Sequence, residues 1–534
     1  MPKTDSNPAA DARPRTGHRY WFPVTVGLLT WAGIVTIRLQ PEMERNFQGW
    51  LTAALILLAS LLGLIWFFGF SRFSGKLRLG TFGLLLLAAF GGTRLLRVDG
   101  TVDGTGLPKL VWRWTSPRTV RSESATTSPS ATPAAPNTQT VATTAPASQH
   151  PDVPQFFGAR RDGTALQVNL ARDWSATPPR QLWRQPVGLG WSAFAVVGER
   201  AYTQEQRGDS ECVTCYALRT GQQIWAQTNA VRFSEWQGGD GPRATPTVHE
   251  GRVYTLGATG LLNCLDAESG GLKWSRSVLS ENQLANLIWG VSASPLVFED
   301  TVVVTGGFTK GPTVLAYRRS TGEPLWQAGT DKASYASPVL VTLAGQRVVL
   351  SANAASLTAH DPTTGALRLD YPWGDDKWPK ASQPVVLPGD RIFLSAGYGA
   401  GCSLLEVKPG TNGKLAATQV WKNLHMKTQF NSVAARDGFL YGLDDGLLAC
   451  VEIATGARKW KDGRYGSGQT LLVDDLILIQ SEPGAVILAA AQPGGFQELG
   501  RLPALSSKTW NHPTLAGKYL LVRNNEEMAA YELP

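Results

Sequence analysis

The spacing of hydrophobic and polar positions along this chain changes once, near residue 100. Before it, apolar residues come in long unbroken runs. "YWFPVTVGLLTWAGIVTI" lies between Arg19 and Arg38, and a run centred on "LTAALILLASLLGLIWFFGF" lies between Arg45 and Arg72. A third, "LGTFGLLLLAAFGGT", lies between Arg78 and Arg94. A membrane-crossing helix needs roughly 20 apolar residues. The pattern therefore predicts three transmembrane helices over residues 20–96, the third being the shortest. A cleaved signal peptide fits the first run poorly, because another long run follows at once.

From about residue 154 the apolar runs are short, alternating and β-branched, with Gly and Asp turns between them. "SASPLVFEDTVVVTG" and "ASQPVVLPGDRIFLS" show the form: a small or hydroxylated pair, a strand, a polar turn, another strand. A second phrase follows in most units: "CYALRTGQQIW", "CLDAESGGLKW", "AYRRSTGEPLW". Trp225, Trp274, Trp326 and Trp460 each stand four places after a glycine, and Leu369 holds the same place after Gly365. Eight such units follow one another at about forty to fifty residues each, and four short strands per unit at that period predict propeller blades. The glycine supplies the positive φ of a tight turn. The tryptophan is large enough to fill the gap between wedge-shaped blades. The chain ends on "MAAYELP" without turn or tryptophan, while Trp183 in "PPRQLWRQP" has no unit of its own. The two ends are expected to pair and close the ring, which removes exposed sheet edges. The predicted fold is an all-β, eight-bladed β-propeller over residues 154–534, preceded by a helical membrane segment of three spans.

Composition sharpens this picture. Among 534 residues, 56 glycines, 33 prolines and 19 tryptophans with only 17% charged residues suit turns and strands rather than a helical bundle. The net charge is +8. Part of the excess flanks the apolar runs: Lys3, Arg13, Arg15 and Arg19 precede the first, and Arg72, Lys76 and Arg78 precede the third. Basic loops stay in the cytoplasm, so residues 1–19 are expected inside. Three crossings then place the propeller outside, on the periplasmic face of an inner membrane; two would reverse the side. Residues 97–153 are dominated towards their end by Ser, Thr, Ala and Pro. They read as a flexible tether with a mean span of about 35 Å over their last 39 residues. No basic helix and no aromatic–basic signature points to nucleic acid.

Candidate chemistry is sparse. Cys212 and Cys215 form C-x-x-C, yet Cys215, Cys264 and Cys450 all stand six places before a turn glycine, where Ala316 and Ala359 hold the same slot. They read as small core residues, with a Cys212–Cys215 disulfide as the alternative. "GLGWSA" at 188–193 precedes a strand and so lacks the helix N-terminus that holds phosphate. "DGTVDGTG" at 99–106 hints at calcium without the rest of a ligand loop. The entries to the first strands form the informative set, because that strand lines a propeller's channel. They bring Trp191, Arg243, Trp289, Tyr335, Lys380, Gln383, Asn431, Gln469, Trp510 and Asn511 towards one mouth. Aromatics, two cations and amides suit a flat or anionic ligand. Glu205 and Arg207 of "EQRGD" are further candidates from a neighbouring turn.

The phrases "YALRTGQQIW", "LDAESGGLKW" and "VEIATGARKW" resemble the pyrroloquinoline-quinone-type (PQQ-like) propeller repeat. "PQFFGARRDGT" at 154–164 looks like the entry segment of membrane-tethered members. The resemblance implies one of two roles. One is a binding or scaffold module of the cell envelope without cofactor, whose partners are envelope proteins or a small anionic or aromatic ligand. The alternative is a PQQ-dependent quinoprotein dehydrogenase that oxidises an alcohol or sugar with PQQ and calcium. The chain has no adjacent Cys-Cys pair, no recognisable Glu/Asn/Asp calcium set and no C-x-x-C-H haem motif. The reading therefore favours a membrane-integral binding module over an enzyme.

Overall fold

The computed structural model describes residues 20–115 and 150–534. The expected cytoplasmic segment 1–19 and most of the expected tether, residues 116–149, lie outside the described residues. The chain divides into two compact units, split at residues 97/98 and again around 111–115.

The first unit holds three helices, α1 (Trp21–Arg38), α2 (Arg45–Ile65, continued by a π turn through Phe70) and α3 (Gly75–Leu95). Large apolar side chains such as Leu29, Trp31, Leu57 and Leu87 are exposed on them. Two stretches, Trp21–Arg38 and Arg45–Phe70, are long and apolar enough to cross a membrane. This corrects the expectation of three spans. α3 has the length, but Lys76, Arg78, Arg94 and five glycines dilute its apolar content. The side assignment that relied on an odd number of crossings loses that support.

Leu96–Thr101 and Pro108–Trp112, inside the stretch expected as tether, form a two-stranded ribbon. Residues 98–110 belong to the second unit.

The second unit is a ring of eight antiparallel blades of four strands each. Numbered from the N-terminus, they cover residues 195–229, 247–277, 296–328, 339–372, 385–423, 434–464 and 469–502, with the eighth built from 514–532 and 180–186. Strands in the middle of a blade are covered on both faces and read as continuous apolar runs, as in Leu476–Gln480 and Val486–Ala490, buried throughout. Outer strands alternate, as Leu272–Ser277 does. The ring closes where expected: Glu527–Glu532 pairs with Arg180–Pro186, Ala530 opposite Trp183.

Each docking tryptophan lies on the turn glycine of the next blade. A Cβ on Gly221, Gly270, Gly322 or Gly365 would stand 2.6–2.7 Å from the ring of Trp183, Trp225, Trp274 or Trp326 respectively. The indole N–H groups donate to carbonyls of that same turn, for example Trp183 to Leu218 at 2.8 Å and Trp274 to Arg319 at 3.0 Å. Across from the tryptophan stands a small-residue slot in most blades: Cys215 faces Trp225, Cys264 Trp274, Ala316 Trp326 and Cys450 Trp460, whereas Leu404 faces Trp421. A β-bulge follows the slot in all eight blades. All five cysteines are free and buried, so Cys212 and Cys215 form no disulfide here. Burial pushes the Cys215 thiol up to about 12.

Residues 150–170 run across one end of the ring. Val153 bridges Val196, Pro154 accepts from Val248 N–H, and Thr164–Ala165 adds a parallel strand to blade 7. Arg161 is buried and donates to the carbonyls of Ser294 and Pro295, both at 2.9 Å. Burial lowers its pKa to about 9.

Candidate functional site

The small polar residues at the strand entries form a closed circle of hydrogen bonds between neighbouring blades. Ala193 N–H donates to Thr245 Oγ1 (3.2 Å), Thr245 N–H to Ser294 Oγ (2.9 Å) and Ser294 N–H to Ser337 Oγ (2.9 Å). Gln383 meets both the N–H and the C=O of Ser337 at 2.9 Å, its amide nitrogen facing the oxygen. Gln383 N–H donates to Ser432 Oγ (3.1 Å), Thr470 Oγ1 to the Ser432 carbonyl (3.0 Å), and His512 Nε2 faces the Thr470 carbonyl (3.1 Å). Asn511 Nδ2 completes the circle on the Ser192 carbonyl at 2.8 Å. Inner strands near the axis leave backbone groups unpaired, and buried polar groups must find partners. These side chains supply them.

Several of the expected ligand residues make hydrogen bonds to backbone. Gln383, Asn431 and Asn511 are buried and spend their amides on backbone, Asn431 on the Leu443 carbonyl at 3.1 Å. Gln469 Nε2 donates to the carbonyls of Phe430 (3.0 Å) and Trp510 (2.9 Å). Lys380 is 4% exposed, and its ammonium donates to the carbonyls of Ala354 and Asp375. Burial lowers its pKa. It ties the 373–383 loop down. Glu205 is fully buried at the seam between blades 8 and 1, where it accepts from Tyr216 Oη (2.6 Å) and Arg207 (2.9 Å) beside the buried Arg523. Burial pushes its carboxyl up, but Arg207, Arg523 and these donors outweigh it and leave the pKa below the usual range.

The aromatic residues do converge. Trp191 and Trp510 stand 4.8 Å apart between ring centroids, Trp510 and Phe430 5.3 Å, and Trp289 and Tyr335 5.7 Å. Gly238 joins the two groups: its carbonyl accepts from Trp191 Nε1 at 2.5 Å, and a Cβ there would touch Trp289. The result is an arc of half-buried rings around the mouth. Arg243 lies beside it, 4.5 Å over Phe233, its guanidinium donating to the carbonyls of Gly239 and Gly241. Burial lowers the Arg243 pKa to about 10 against the opposing pull of Glu211, Glu235 and Asp240.

Three residues of this site escape the periodic pattern. Lys508 stacks its ammonium 4.2 Å from the Trp510 ring. Glu482, in a turn of blade 7, accepts the Trp510 indole N–H at 2.7 Å. Phe430 extends the arc. Burial lowers the Lys508 pKa to about 8, against the pull of Glu482. Phe430 is next to the expected Asn431 and Lys508 lies two places before the expected Trp510; Glu482 carries no spacing signal at all.

Comparison with known proteins follows from this geometry. Residues 209–462 match the family described as outer membrane protein assembly factor BamB. The propeller is of the PQQ-like repeat type. Among curated relatives of the PQQ-like chain is the outer membrane protein assembly factor BamB of Burkholderia pseudomallei (strain K96243). It is 24% identical over 360 residues, which cover 64% of this chain and 85% of the relative. Among solved structures, a europium-containing methanol dehydrogenase aligns with a TM-score of 0.53 and 13% identity, over 69% of this chain and 95% of that one. The quinohemoprotein alcohol dehydrogenase from Comamonas testosteroni aligns with a TM-score of 0.53 and 13% identity, over 71% and 80%. At these identities the solved structures show a shared fold and nothing about chemistry.

Calcium takes six to eight oxygen ligands, and no cluster of three or more His, Cys, Asp or Glu that suits a metal exists among the described residues. The Asn431 and Asn511 side-chain nitrogens and the Lys380 ammonium donate to backbone carbonyls, whereas the buried Asn511 Oδ1 has no hydrogen-bond partner.

Proposed function

We propose that this chain is a membrane-anchored scaffold of the cell envelope whose propeller binds protein partners; its place outside the cytoplasm rests on the relationship to an outer membrane assembly factor, since two crossings from an inside N-terminus would put it in the cytoplasm. The observation that carries the reading is the apolar rim of the mouth. Trp236, Ile288 and Trp378 are 53%, 55% and 37% exposed, on the same loops that carry Arg243, Trp289 and Lys380. Tryptophan and arginine clustered on fixed loops are what protein interfaces concentrate. The relationship to an outer membrane protein assembly factor supports the same class of partner, namely proteins that assemble the outer membrane. The two long apolar helices support anchoring.

The test is co-purification of the full-length protein from membranes in mild detergent. Envelope assembly proteins are expected with the wild-type chain and a loss of at least tenfold with Trp236→Ala/Trp378→Ala. Recovery of no envelope protein, or of the same amounts with the variant, sinks the reading. The side of the membrane is read separately: alkaline phosphatase fused after residue 115 is expected to be active, and an inactive fusion places the propeller in the cytoplasm. PQQ titrated with calcium is expected to leave the tryptophan fluorescence unchanged. Saturable quenching would restore the dehydrogenase reading.

A further inference from the structure

The tip of the 96–112 ribbon sits in the mouth. Gly104 donates its N–H to Glu482 Oε1 at 2.7 Å, the same oxygen that takes the Trp510 indole. The Thr101 carbonyl accepts from Lys508 Nζ at 3.0 Å, and the Thr101 hydroxyl donates to the Gln237 carbonyl at 3.2 Å. Thr101 is 3% exposed. The tip is folded locally: Asp103 Oδ1 accepts from Thr105 N–H at 2.9 Å, an Asx turn. The fit leaves no space at its apex. A Cβ on Gly104 would overlap Ser467 Oγ and stand 2.8 Å from Ser467 Cβ.

The groups recognised here are an amide N–H, a carbonyl and a hydroxyl, which any glycine-containing turn with a neighbouring threonine presents. Asp99 and Asp103 favour the Lys508 charge while Lys109 of the same ribbon opposes it, and the sequence writes the same Asp-Gly-Thr twice, at 99–101 and 103–105. The ribbon thus displays the kind of ligand the mouth holds.

We infer that the mouth is a binding site for a glycine-containing β-turn, filled in the resting protein by residues 98–110 of the same chain. A partner protein docks by presenting a similar turn and displacing this one. The identity of the partner rests on the scaffold reading above; the occupancy of the mouth does not. A tethered segment competes at an effective concentration on the order of millimolar. A free turn that binds the empty mouth at roughly 0.1 mM is therefore weakened about tenfold in the wild-type chain.

The test uses full-length protein in detergent and a fluorescent, disulfide-cyclised peptide of residues 98–110. Gly104→Val expels the tip without touching a blade. The variant chain is expected to bind the peptide at least tenfold more tightly than wild type, and adding Lys508→Ala is expected to weaken it at least tenfold again. Equal affinity of wild-type and Gly104→Val chains overturns the inference, as does binding indifferent to Lys508→Ala. An independent measurement is hydrogen exchange at the Gly104 amide. Protection in wild type that is lost in Glu482→Gln supports the contact, and no protection in wild type refutes it. Failure of co-purification with a positive peptide result removes the scaffold reading alone. The converse removes only the occupied mouth.

Discussion

Glu211 shows how a single residue tunes this fold. It is 3% exposed, its side chain accepts from Ala258 N–H at 3.2 Å, and burial raises its pKa from 4.5 to about 7 in spite of Arg243. The folded chain therefore holds a proton that the unfolded chain releases between about pH 4.5 and 7. Stability falls as pH rises through that window, by roughly 3 kcal/mol. Urea unfolding midpoints of wild type and Glu211→Gln measured from pH 4.5 to 7.5 are expected to diverge, the variant losing this downward slope. At this scale the sequence is only partly legible. Trp191, Arg243, Trp289, Tyr335 and Trp510 gather where the strand entries place them, because aromatic side chains there have only the mouth to point into. Gln383, Asn511 and Lys380 look equally available in the sequence. Their side chains are nevertheless spent on backbone groups of neighbouring loops and blades, and one chain segment does not reveal which carbonyls across a seam lack donors.

At the scale of the element, the tryptophan of one blade and the glycine of the next behave as one device. Removing the ring in Trp274→Ala is expected to cost about 3–5 kcal/mol, read as a lowered melting temperature. Gly322→Ala forces a Cβ to within 2.7 Å of that ring at φ +77°, and should also destabilise, by about 1–3 kcal/mol. The decisive measurement is the double variant. With the ring gone, the alanine at 322 should cost measurably less than in wild type, and strict additivity would disprove the docking. A second buried element is ionic. Asp444 is fully buried between Lys427 (2.9 Å) and Lys461 (2.6 Å). Asp444→Asn is expected to destabilise by about 3–5 kcal/mol, because it strands buried cations; guanidinium unfolding reads it. The blades were legible because a four-place Gly-to-Trp spacing is local and recurs. The length of α3 suggests a crossing while its charges and glycines argue against one. The 96–112 ribbon leaves no mark in the sequence, because two short strands before a Ser/Thr/Pro-rich stretch offer no period to detect.

For the whole molecule the decisive seam is blade 8. Ala530 is fully buried opposite Trp183, so Ala530→Pro removes a backbone donor inside the closure and is expected to cost about 3 kcal/mol or more. Trypsin should then cleave at Arg180 and Arg184 under native conditions, while the wild-type ring resists. The seam joins positions 352 residues apart, as the Arg180–Glu532 pair marks. At about 5–20 residues per second of synthesis, the strand Arg180–Pro186 waits on the order of 20–70 s before its partner exists. During that interval seven blades can form, but a naked strand edge and an undocked indole remain. The nascent protein should therefore depend on a holding chaperone until its closing strand, Glu527–Glu532, emerges, and a stop codon placed shortly before Glu527 should yield aggregates rather than a slightly weaker ring.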